Sequence, residues 1–415
     1  MITLWYLFIC SFHFSTYVYA YRKIRQHEFS KSVLKSKSLK RFQTIDIQLT
    51  YTAEQYLGYI GVGSSQQIFK VLFDTGSVYT WVPSTLCESP GCLQHLRFHA
   101  KTPKHYPLSS RTTRLTFGSG ALDFIKTRDK LCFIESICLK NQTFGLVTHE
   151  YDKIFSYVAF DGIVGLAQPG LASDSSESII KSLLQFFSRK PIMTKDMNEN
   201  TVTDNVTLNY YQNSNIYIHF HFLSLSKPTL SFIPVNELVD SYFRSKIFWI
   251  GVNSNKHWIV PLQDILVDGV SLTTCQLYNG EACQVIFDTG TTDILGFQDD
   301  VRLLRDVVGL NKPCTTWDEL KPITFRFLTQ DEFSQPKELD ITITPQQLLS
   351  HDPNPVLSTL DCNKGISAGS MFQNMDNVEV TSGSAPVHWI LGTSFLKNID
   401  FILDPSKRRI GIIPY

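Results

Sequence analysis

A short acidic motif occurs twice in this chain, in the same context each time. Phe73-Asp-Thr-Gly-Ser returns as Phe287-Asp-Thr-Gly-Thr, and each phenylalanine ends an apolar run, KVLF or QVIF, that is typical of a β-strand. A second element also repeats, because Ile163-Val-Gly follows the first copy and Ile390-Leu-Gly follows the second. Because the preceding strand, the acidic motif and the later hydrophobic-hydrophobic-Gly element all repeat in the same order, the sequence indicates a duplicated fold.

Each Asp-Thr-Gly sequence predicts a tight turn at the end of a strand. Its glycine lets the backbone pass close to the symmetry-related turn. The threonine can donate across to the opposite loop, and the hydroxyl residue after the glycine can bind the outer carboxylate oxygen. We therefore predict that Asp74 and Asp288 form one catalytic pair. Six loop residues are predicted to support it: Thr75, Gly76, Ser77, Thr289, Gly290 and Thr291.

Two carboxyl groups at this separation share one proton over a broad pH range and titrate as a unit. A water between them can then lose a proton to the ionised member while a bound carbonyl is protonated by the other. This chemistry requires no covalent intermediate, no cofactor and no metal ion, and we find no cysteine or histidine cluster at zinc-ligand spacing. The alternative is that each aspartate only caps its turn, which is usual for a single such motif.

Beyond its N-terminal region the sequence is typical of a mainly β protein. Short runs of Val, Ile, Phe, Tyr and Thr are separated by Gly, Pro, Asn and Ser, as in IYIHFHFLSLS and LDITIT. The best helical pattern spans residues 175–187, where apolar residues recur at helical spacing. A polar, Asn-rich stretch between residues 194 and 215 predicts a surface loop or insertion.

Neither the charge balance nor any motif supports nucleic acid as a partner, so we expect none. Lys plus Arg and Asp plus Glu each number 38, so the formal net charge is zero and no global field attracts polyanions. The basic N-terminal region lacks the interleaved aromatic residues of a nucleic-acid site. The glycines of GYIGVG lie in a β-hairpin context, whereas a nucleotide site would place them at the start of a helix.

The N-terminal segment predicts entry into the secretory pathway. Residues 1–20 are mostly apolar and end on a small Ala20, which is typical of a signal peptide. An uncleaved membrane anchor is the alternative, since the run approaches the length of a membrane span. Residues 21–48 begin with a strongly basic arm, which is either a solvated tail or a propeptide that neutralises an acidic cleft. The acidic motifs favour the propeptide, and the product would be secreted, vacuolar or organellar, or membrane-tethered.

Cysteine usage fits an oxidising compartment. Excluding Cys10 in the N-terminal segment, the nine cysteines leave eight, which allow about 105 pairings. Their clustering suggests four pairs: Cys87 with Cys92, Cys132 with Cys138, Cys275 with Cys283, and Cys314 with Cys362. Asn141 and Asn205 begin sequences typical of N-glycosylation acceptors.

From about residue 52 to the C-terminus, the chain resembles the pepsin-like aspartic proteases. The motifs that carry the resemblance are FDTGSVYTWVPS at 73–84, FDGIVGLA at 160–167, VIFDTGTTDIL at 285–295 and WILGTSFLKNIDFILD at 389–404. The resemblance implies a bilobal β fold, with an N-terminal lobe at 49–222, a C-terminal lobe at 223–415 and a cleft between them. It also implies a monomeric endopeptidase, made as a zymogen, for peptide or protein substrates with apolar residues beside the cleaved bond. The cysteine pattern fits the family, with Cys132 and Cys138 the least typical pair. Together with the Asn-rich stretch and the basic propeptide, it resembles the plasmepsin-type enzymes of apicomplexan parasites.

The resemblance also assigns a flap hairpin, a mobile cover over the substrate, to residues 116–120. Phe117 stands where the family usually has Tyr, so the phenol's hydrogen bond towards the Trp81 indole is lost. We expect altered flap dynamics and specificity, not inactivity. The residues assigned to the flap and substrate-binding surface are Phe117, Gly118, Ser119, Gly120, Trp81, Leu72, Ile154, Ile163 and Ile286. Ordinary core packing is the alternative role for the apolar lining residues among them.

Two departures from the family pattern bear on pH dependence. Thr393 follows Ile-Leu-Gly where many members carry Asp, and the loss of that charge should by itself lower the pKa of the second aspartate. Renin-like members also lack an acid here and act near neutral pH, so on that analogy we expect a mildly acidic to near-neutral optimum. Asp293, where the family is generally apolar, would add charge to the cleft and partly cancel the effect.

A non-catalytic pepsin-fold protein that binds peptides or a partner protein is the competing interpretation. Such relatives commonly have a damaged catalytic pair or flap. Here both Asp-Thr-Gly motifs, Ser77, Thr291 and Trp81 are intact. The sequence therefore favours an enzyme, and turnover of a peptide would separate the two interpretations.

Overall fold

A computed structural model describes most of the chain. The described residues are 44–99, 111–134, 137–174, 176–188, 215–223, 227–235, 247–275, 282–311, 317–330, 336–349, 362–369 and 387–414. The predicted signal peptide, residues 21–43 of the predicted propeptide, almost all of the Asn-rich stretch, Asn205 and Cys314 lie outside these residues. Within them, no helix is both long and apolar enough to cross a membrane.

The described residues are mainly β, as predicted. The strands in chain order are β1 (Ile45–Gln48), β2 (Thr50–Thr52), β3 (Gln55–Val62), β4 (Gln67–Asp74), β5 (Trp81–Pro83), β6 (Thr112–Phe117), β7 (Gly120–Ile134), β8 (Ile137–Glu150), β9 (Gly162–Gly165), β10 (Ile216–His221), β11 (Thr229–Pro234), β12 (Phe248–Gly251), β13 (Ile259–Leu262), β14 (Asp264–Val267), β15 (Val270–Ser271), β16 (Cys283–Phe287), β17 (Ile294–Gly296), β18 (Ile323–Gln330), β19 (Pro336–Ile343), β20 (Ile366–Ala368), β21 (Val387–Leu391), β22 (Asp400–Asp404) and β23 (Arg409–Ile413).

Helices are short and few among the described residues. The α-helices are α1 (Pro90–Gln94), α2 (Ile179–Ser188), α3 (Gln298–Val308), α4 (Pro345–Leu349) and α5 (Thr393–Leu396). Three 3₁₀ helices span Lys153–Ser156, Pro169–Leu171 and Trp317–Glu319. The helix predicted at 175–187 is confirmed as α2 but begins later, because the hydroxyl of buried Ser178 accepts the backbone N–H of Lys181 at 3.3 Å and so caps its first turn.

The strands of the described residues form three sheets, which give the bilobal fold. One sheet has the order β2-β3-β4-β9-β5-β8-β7-β6 and comes from the first half of the chain. A second, β13-β16-β21-β17-β20, comes from the second half. The third joins both halves in the order β1-β11-β10-β22-β23-β12-β18-β14-β15, with β19 beside β18. The exact lobe boundary at residue 222 remains a prediction.

The duplication predicted from the repeated motifs is visible in the strand pairing. In the first half β4 pairs in parallel with β9, so that Asp74 lies beside Gly165. In the second half β16 pairs in parallel with β21, so that Phe287 lies beside Leu391. Phe73 and Phe287, which precede the two aspartates, are both fully buried in one apolar cluster. The strand that carries each acidic turn is therefore anchored by its own repeated partner strand.

Candidate active site

The two acidic turns interlock through their threonines. The hydroxyl of Thr75 donates to the carbonyl of Phe287 at 2.8 Å, and the hydroxyl of Thr289 donates to the carbonyl of Phe73 at 2.6 Å. Each backbone N–H of Thr75 and Thr289 donates to the other hydroxyl at 3.0 Å. Both side chains are buried, so these bonds join the two turns in a contact shielded from solvent.

Each aspartate is also held by its own turn. The backbone N–H of Gly76 donates to Asp74 Oδ1 at 2.8 Å, and the Ser77 hydroxyl donates to Asp74 Oδ2. Asp288 has the same arrangement, with the N–H of the glycine two residues later on Oδ1 at 2.8 Å and the hydroxyl of Thr291 on Oδ2 at 2.7 Å. The two carboxyl groups are therefore fixed in related orientations by matched donors.

The glycines of the two motifs bring the carboxyl groups together. A Cβ atom added to Gly76 would lie 2.5 Å from both carboxyl oxygens of Asp288. A Cβ atom added to Gly290 would lie 2.3 Å from Asp74 Oδ1 and 3.1 Å from Asp288 Oδ1. Each glycine is therefore required because the opposite aspartate occupies the space of a side chain.

The two aspartates differ in their surroundings. Asp74 is 5% exposed, whereas Asp288 is only partly buried. Burial raises the pKa of Asp74 well above its usual range, and the charge of Asp288 raises it further, against the lowering effect of the hydrogen bonds from Ser77 and Gly76. The geometry thus favours a proton on Asp74.

Sequence reasoning missed His257, which lies beside this pair. Burial lowers the pKa of His257, while the nearby charge of Asp288 and a hydrogen bond with the backbone of Gly76 act in the opposite direction. The next residue, Trp258, donates its indole N–H to the carbonyl of Leu166 at 2.8 Å, and the N–H of Leu166 donates to the carbonyl of Asp74 at 2.6 Å. No sequence motif surrounds His257, so nothing in the sequence signalled this position.

Thr393 acts on Asp288 through another hydroxyl residue. Thr393 is buried, and its N–H and hydroxyl both donate to the carbonyl of Thr291, at 2.8 and 3.2 Å. Thr291 is the residue whose hydroxyl donates to Asp288. A neutral side chain therefore supports the turn where many family members carry a carboxylate.

Asp293, the other departure from the family pattern, is bound within the second half of the chain. The N–H of Gly365 donates to its Oδ1 at 3.1 Å, and the hydroxyl of Ser367 donates to its Oδ2. Burial lowers the pKa of the nearby Lys397 to about 8, and the charges of Glu54 and Asp293 oppose that shift. The Asp293 carboxylate is therefore part of a charged cluster behind the second acidic turn.

Phe117 ends β6 and packs into an aromatic cluster with Trp81 and Phe155. Their ring centroids are 6.2 Å apart for Phe117 and Trp81, 6.3 Å for Trp81 and Phe155, and 6.4 Å for Phe117 and Phe155. Exposed Gly118 and Ser119 form the hairpin turn to β7. Among the described residues, the buried Trp81 Nε1 has no hydrogen-bond partner. The expected absence of a phenol bond thus leaves a buried donor unsatisfied.

The apolar residues expected along the cleft fall into separate groups. Leu72, Ile163, Trp81 and Phe117 belong to one apolar cluster, and Ile286 belongs to another with Ile390. Ile154 is 38% exposed and joins neither, whereas its neighbour Phe155 is 6% exposed and lies within the first cluster. Sequence reasoning missed Phe155 because the segment before FDGIVG contains no distinctive motif.

Three of the four expected cysteine pairs are disulfide bonds in the structure. These are Cys87–Cys92, Cys132–Cys138 and Cys275–Cys283. Cys362 is also disulfide-bonded, while its expected partner lies outside the described residues. Asn141 is exposed on β8 with a φ of 64°, so its side chain is accessible as a glycosylation acceptor would need to be.

Comparison with known proteins places these features in a family. Residues 55–415 match the model of the eukaryotic aspartyl proteases. Plasmepsin VIII of Plasmodium berghei is 28% identical over 371 residues, which cover 89% of this chain and 89% of the relative. Pepsin A of Bos taurus is 26% identical over 402 residues, covering 94% and 92%, and cathepsin E of Mus musculus is 27% identical over 398 residues, covering 94% and 87%. Because the family match extends over most of its length, this chain belongs to the eukaryotic aspartyl protease family.

Proposed function

We propose that this chain is an aspartic endopeptidase in which Asp74 and Asp288 jointly activate the water that cleaves a peptide bond. The observation that supports the proposal most directly is the close packing of the two acidic turns. Each motif glycine lies against the opposite carboxyl group, and the two threonines bond across the halves. This arrangement brings the two carboxyl groups within hydrogen-bond reach of each other, as a pair that activates one water between them requires.

The different environments of the two aspartates support a different role for each. Asp74, buried and with a raised pKa, holds the shared proton, which leaves the more exposed Asp288 as the general base. Asp288 takes a proton from water as the oxygen attacks the peptide carbonyl carbon, and Asp74 gives its proton to the carbonyl oxygen. The tetrahedral intermediate then collapses: the carbon–nitrogen bond breaks, the amine leaves with a proton from Asp288, and a proton returns from the intermediate to Asp74. The pair ends in its initial one-proton state.

The surroundings of the pair favour an extended peptide with apolar side chains at the cleaved bond. The hairpin between β6 and β7 would close over the substrate, with Phe117 and Ile163 as one apolar wall and Ile286 as the other. We assign Phe155 to the first wall in addition to the residues expected from sequence, because it contacts both Trp81 and Phe117.

We further propose that the enzyme is made as a monomeric zymogen in the secretory pathway, with residues 1–20 as its signal peptide and 21–48 as its propeptide. The three disulfides that join described cysteines support an oxidising compartment. A membrane would be involved only if residues 1–20 remain as an anchor.

The test is cleavage of a quenched peptide with apolar residues at its centre, from about pH 3 to about pH 7.5. We would compare wild type after propeptide removal with Asp74→Asn and Asp288→Asn, and use Asp318→Asn, an exposed aspartate outside both motifs, as the matched control. Loss of turnover in both pair variants, but not in the control, is the expected result.

A non-catalytic peptide-binding protein would give a different outcome. It would be folded and would bind pepstatin but show no turnover at any pH in that range. Pepstatin binding alone does not distinguish the two functions, because both keep the cleft. An intact set of donors around each carboxyl group favours the enzyme.

A further inference from the structure

A cluster of two histidines and an aspartate lies in the ten-stranded sheet, away from the acidic turns. Phe220 on β10 pairs with Phe401 on β22 in the antiparallel ladder, which places His221 next to Asp400. Successive side chains point to opposite faces of a strand. Phe220 and Phe401 face the apolar core, so His219, His221 and Asp400 share the other face.

The three side chains are close enough to bind one ion. One ligand atom from each of His219, His221 and Asp400 lies within 4.8 Å of the other two. His221 Nδ1 is 3.2 Å from Asp400 Oδ2, and the two imidazole centroids are 3.4 Å apart. Small movements of these side chains would bring all three ligand atoms to the positions that a tetrahedral metal ion requires.

Backbone groups hold the carboxylate in a binding orientation. The N–H groups of Phe222 and Leu223 donate to Asp400 Oδ1 at 2.8 and 3.1 Å. Oδ2 is thereby directed towards His221, just as hydrogen bonds from surrounding groups orient the ligands of known metal sites. The side chain of Asp400 is 7% exposed, so its position is well defined by these contacts.

The two histidines differ in their exposed fractions, and each meets a different requirement of a metal site. His219 is 1% exposed, so its imidazole offers a ligand atom that the surrounding fold holds in place beside His221 and Asp400. The side chain of His221 is 33% exposed and offers an entry path and room for a water ligand. Imidazole and carboxylate ligands together suit a zinc-class ion.

We propose that His219, His221 and Asp400 form a binding site for one divalent transition-metal ion of the zinc class, with water as a fourth ligand. The ion would join β10 to β22. On the other side of these strands Phe220 stacks on Phe401 at 4.8 Å, and Phe401 contacts Phe287, the residue before Asp288, at 5.9 Å. The site therefore stabilises the sheet behind the second acidic turn, and it does not depend on the proposed peptidase activity.

The sequence alone did not reveal this site. His219 and His221 are two positions apart, but the Asp400 carboxylate is 179 residues from His221. Only the pairing of β10 with β22 brings the third ligand to the histidines.

The test is metal binding by the full chain at neutral pH. The protein is treated with a chelator, dialysed and titrated calorimetrically with Zn²⁺, and Co²⁺ is used in parallel because its visible spectrum reports the coordination geometry. We expect one Zn²⁺ per chain, a tetrahedral Co²⁺ spectrum and a higher unfolding temperature with Zn²⁺ present. His221→Gln and Asp400→Asn should each weaken Zn²⁺ binding at least about tenfold.

The control is His99→Gln, which removes an exposed histidine on another part of the surface. It should bind Zn²⁺ as wild type does. Equal binding by wild type, His221→Gln and Asp400→Asn would show adventitious zinc and overturn the proposal, as would no binding by the wild type. His221→Gln changes a partly exposed side chain, so the near-ultraviolet circular dichroism of this variant should match that of wild type. If Asp400→Asn does not fold, the result for His221→Gln decides the outcome.

Discussion

Thr75 and Thr289 exchange hydrogen bonds across the two halves of the molecule: the backbone N–H of each donates to the hydroxyl of the other at 3.0 Å. Each hydroxyl then donates onward to a carbonyl of the opposite turn. Both threonines are buried, so water cannot replace a lost partner. The alignment of the two carboxyl groups therefore depends on a contact that neither half can form alone.

Thr75→Val should destabilise the protein while it preserves the side-chain shape. The N–H of Thr289 loses its acceptor and the carbonyl of Phe287 loses a donor, so we expect the free energy of unfolding to fall by roughly 2 kcal/mol or more. Urea denaturation measures the change. Thr50→Val, at an exposed strand position, is the matched control and should change stability by less than about 0.5 kcal/mol. Equal effects of the two substitutions would argue against the cross-half bonds as a source of stability.

Gly76→Ala should abolish most activity although both catalytic carboxyl groups are kept. The new methyl group would lie 2.5 Å from the Asp288 carboxyl oxygens and must displace them. A displacement of about 1 Å at a reacting group can cost about 100-fold in rate, so we expect kcat to fall at least that far. Gly251→Ala is the control, because nothing lies within 4 Å of a Cβ atom there. Near wild-type kcat in Gly76→Ala would mean that the carboxyl groups are less closely packed than the structure shows.

Phe117→Tyr should give the buried Trp81 Nε1 a hydrogen-bond acceptor, the phenol oxygen, and thereby stabilise the flap hairpin. One added hydrogen bond contributes about 0.5 to 1.5 kcal/mol, which corresponds to a gain of roughly two- to tenfold in kcat/KM if the closed flap is the active form. A double-mutant cycle with Trp81→Phe tests the mechanism, since the gain should vanish once the indole donor is removed. A gain that persists in the double variant would point to a direct contact of the phenol with substrate.

The raised pKa of Asp74 predicts a pH-dependent stability. The native state binds this proton more tightly than the unfolded chain does, so the contribution is fully present below the ordinary aspartate pKa of about 4 and is lost as the pH rises through the native value. Within that window stability should fall by about 1.4 kcal/mol per pH unit. Asp74→Asn should flatten this slope, whereas Asp318→Asn should keep it. Denaturation curves at several pH values measure the slope, and identical slopes in all three proteins would contradict the assignment of the proton.

His257→Gln should move the acidic limb of the activity profile. When His257 is protonated, its positive charge next to Asp288 opposes the uptake of a second proton by the catalytic pair. Removal of this charge should shift the acidic limb of kcat/KM to higher pH by about one unit, the size expected for a charge a few ångströms away. His99→Gln serves as the surface control. An unchanged limb would show that His257 stays neutral over the working range.

The features that sequence could predict are those encoded in local patterns that repeat. Asp74, Asp288 and their supporting hydroxyl residues were found because each turn has the same short motif after the same kind of strand. The mainly β fold and the clustered cysteine pairs can be predicted for the same reason, because residues that are close together in the sequence determine them.

The features that it missed depend on chain segments that meet only in the fold. His257 reaches the pair because Trp258 bonds to Leu166 in the other half. Phe155 lines the flap through ring contacts with residues on β5 and β6. His219 and Asp400 share a face only through the strand pairing. None of these contacts is visible in the spacing of neighbouring residues.

Strand β1 also sets a condition on maturation. Residues 45–48 end the predicted propeptide, yet they form an edge strand on β11, with Ile45 and Ile47 buried in the core. A cut after residue 48 would remove β1, expose the unpaired backbone edge of β11 and uncover Leu230 and Phe232. Such an exposed edge promotes self-association unless another strand takes the place of β1. A cut before Ile45 would leave β1 paired with that edge. The position of the mature N-terminus therefore determines whether activation exposes a surface that is prone to self-association.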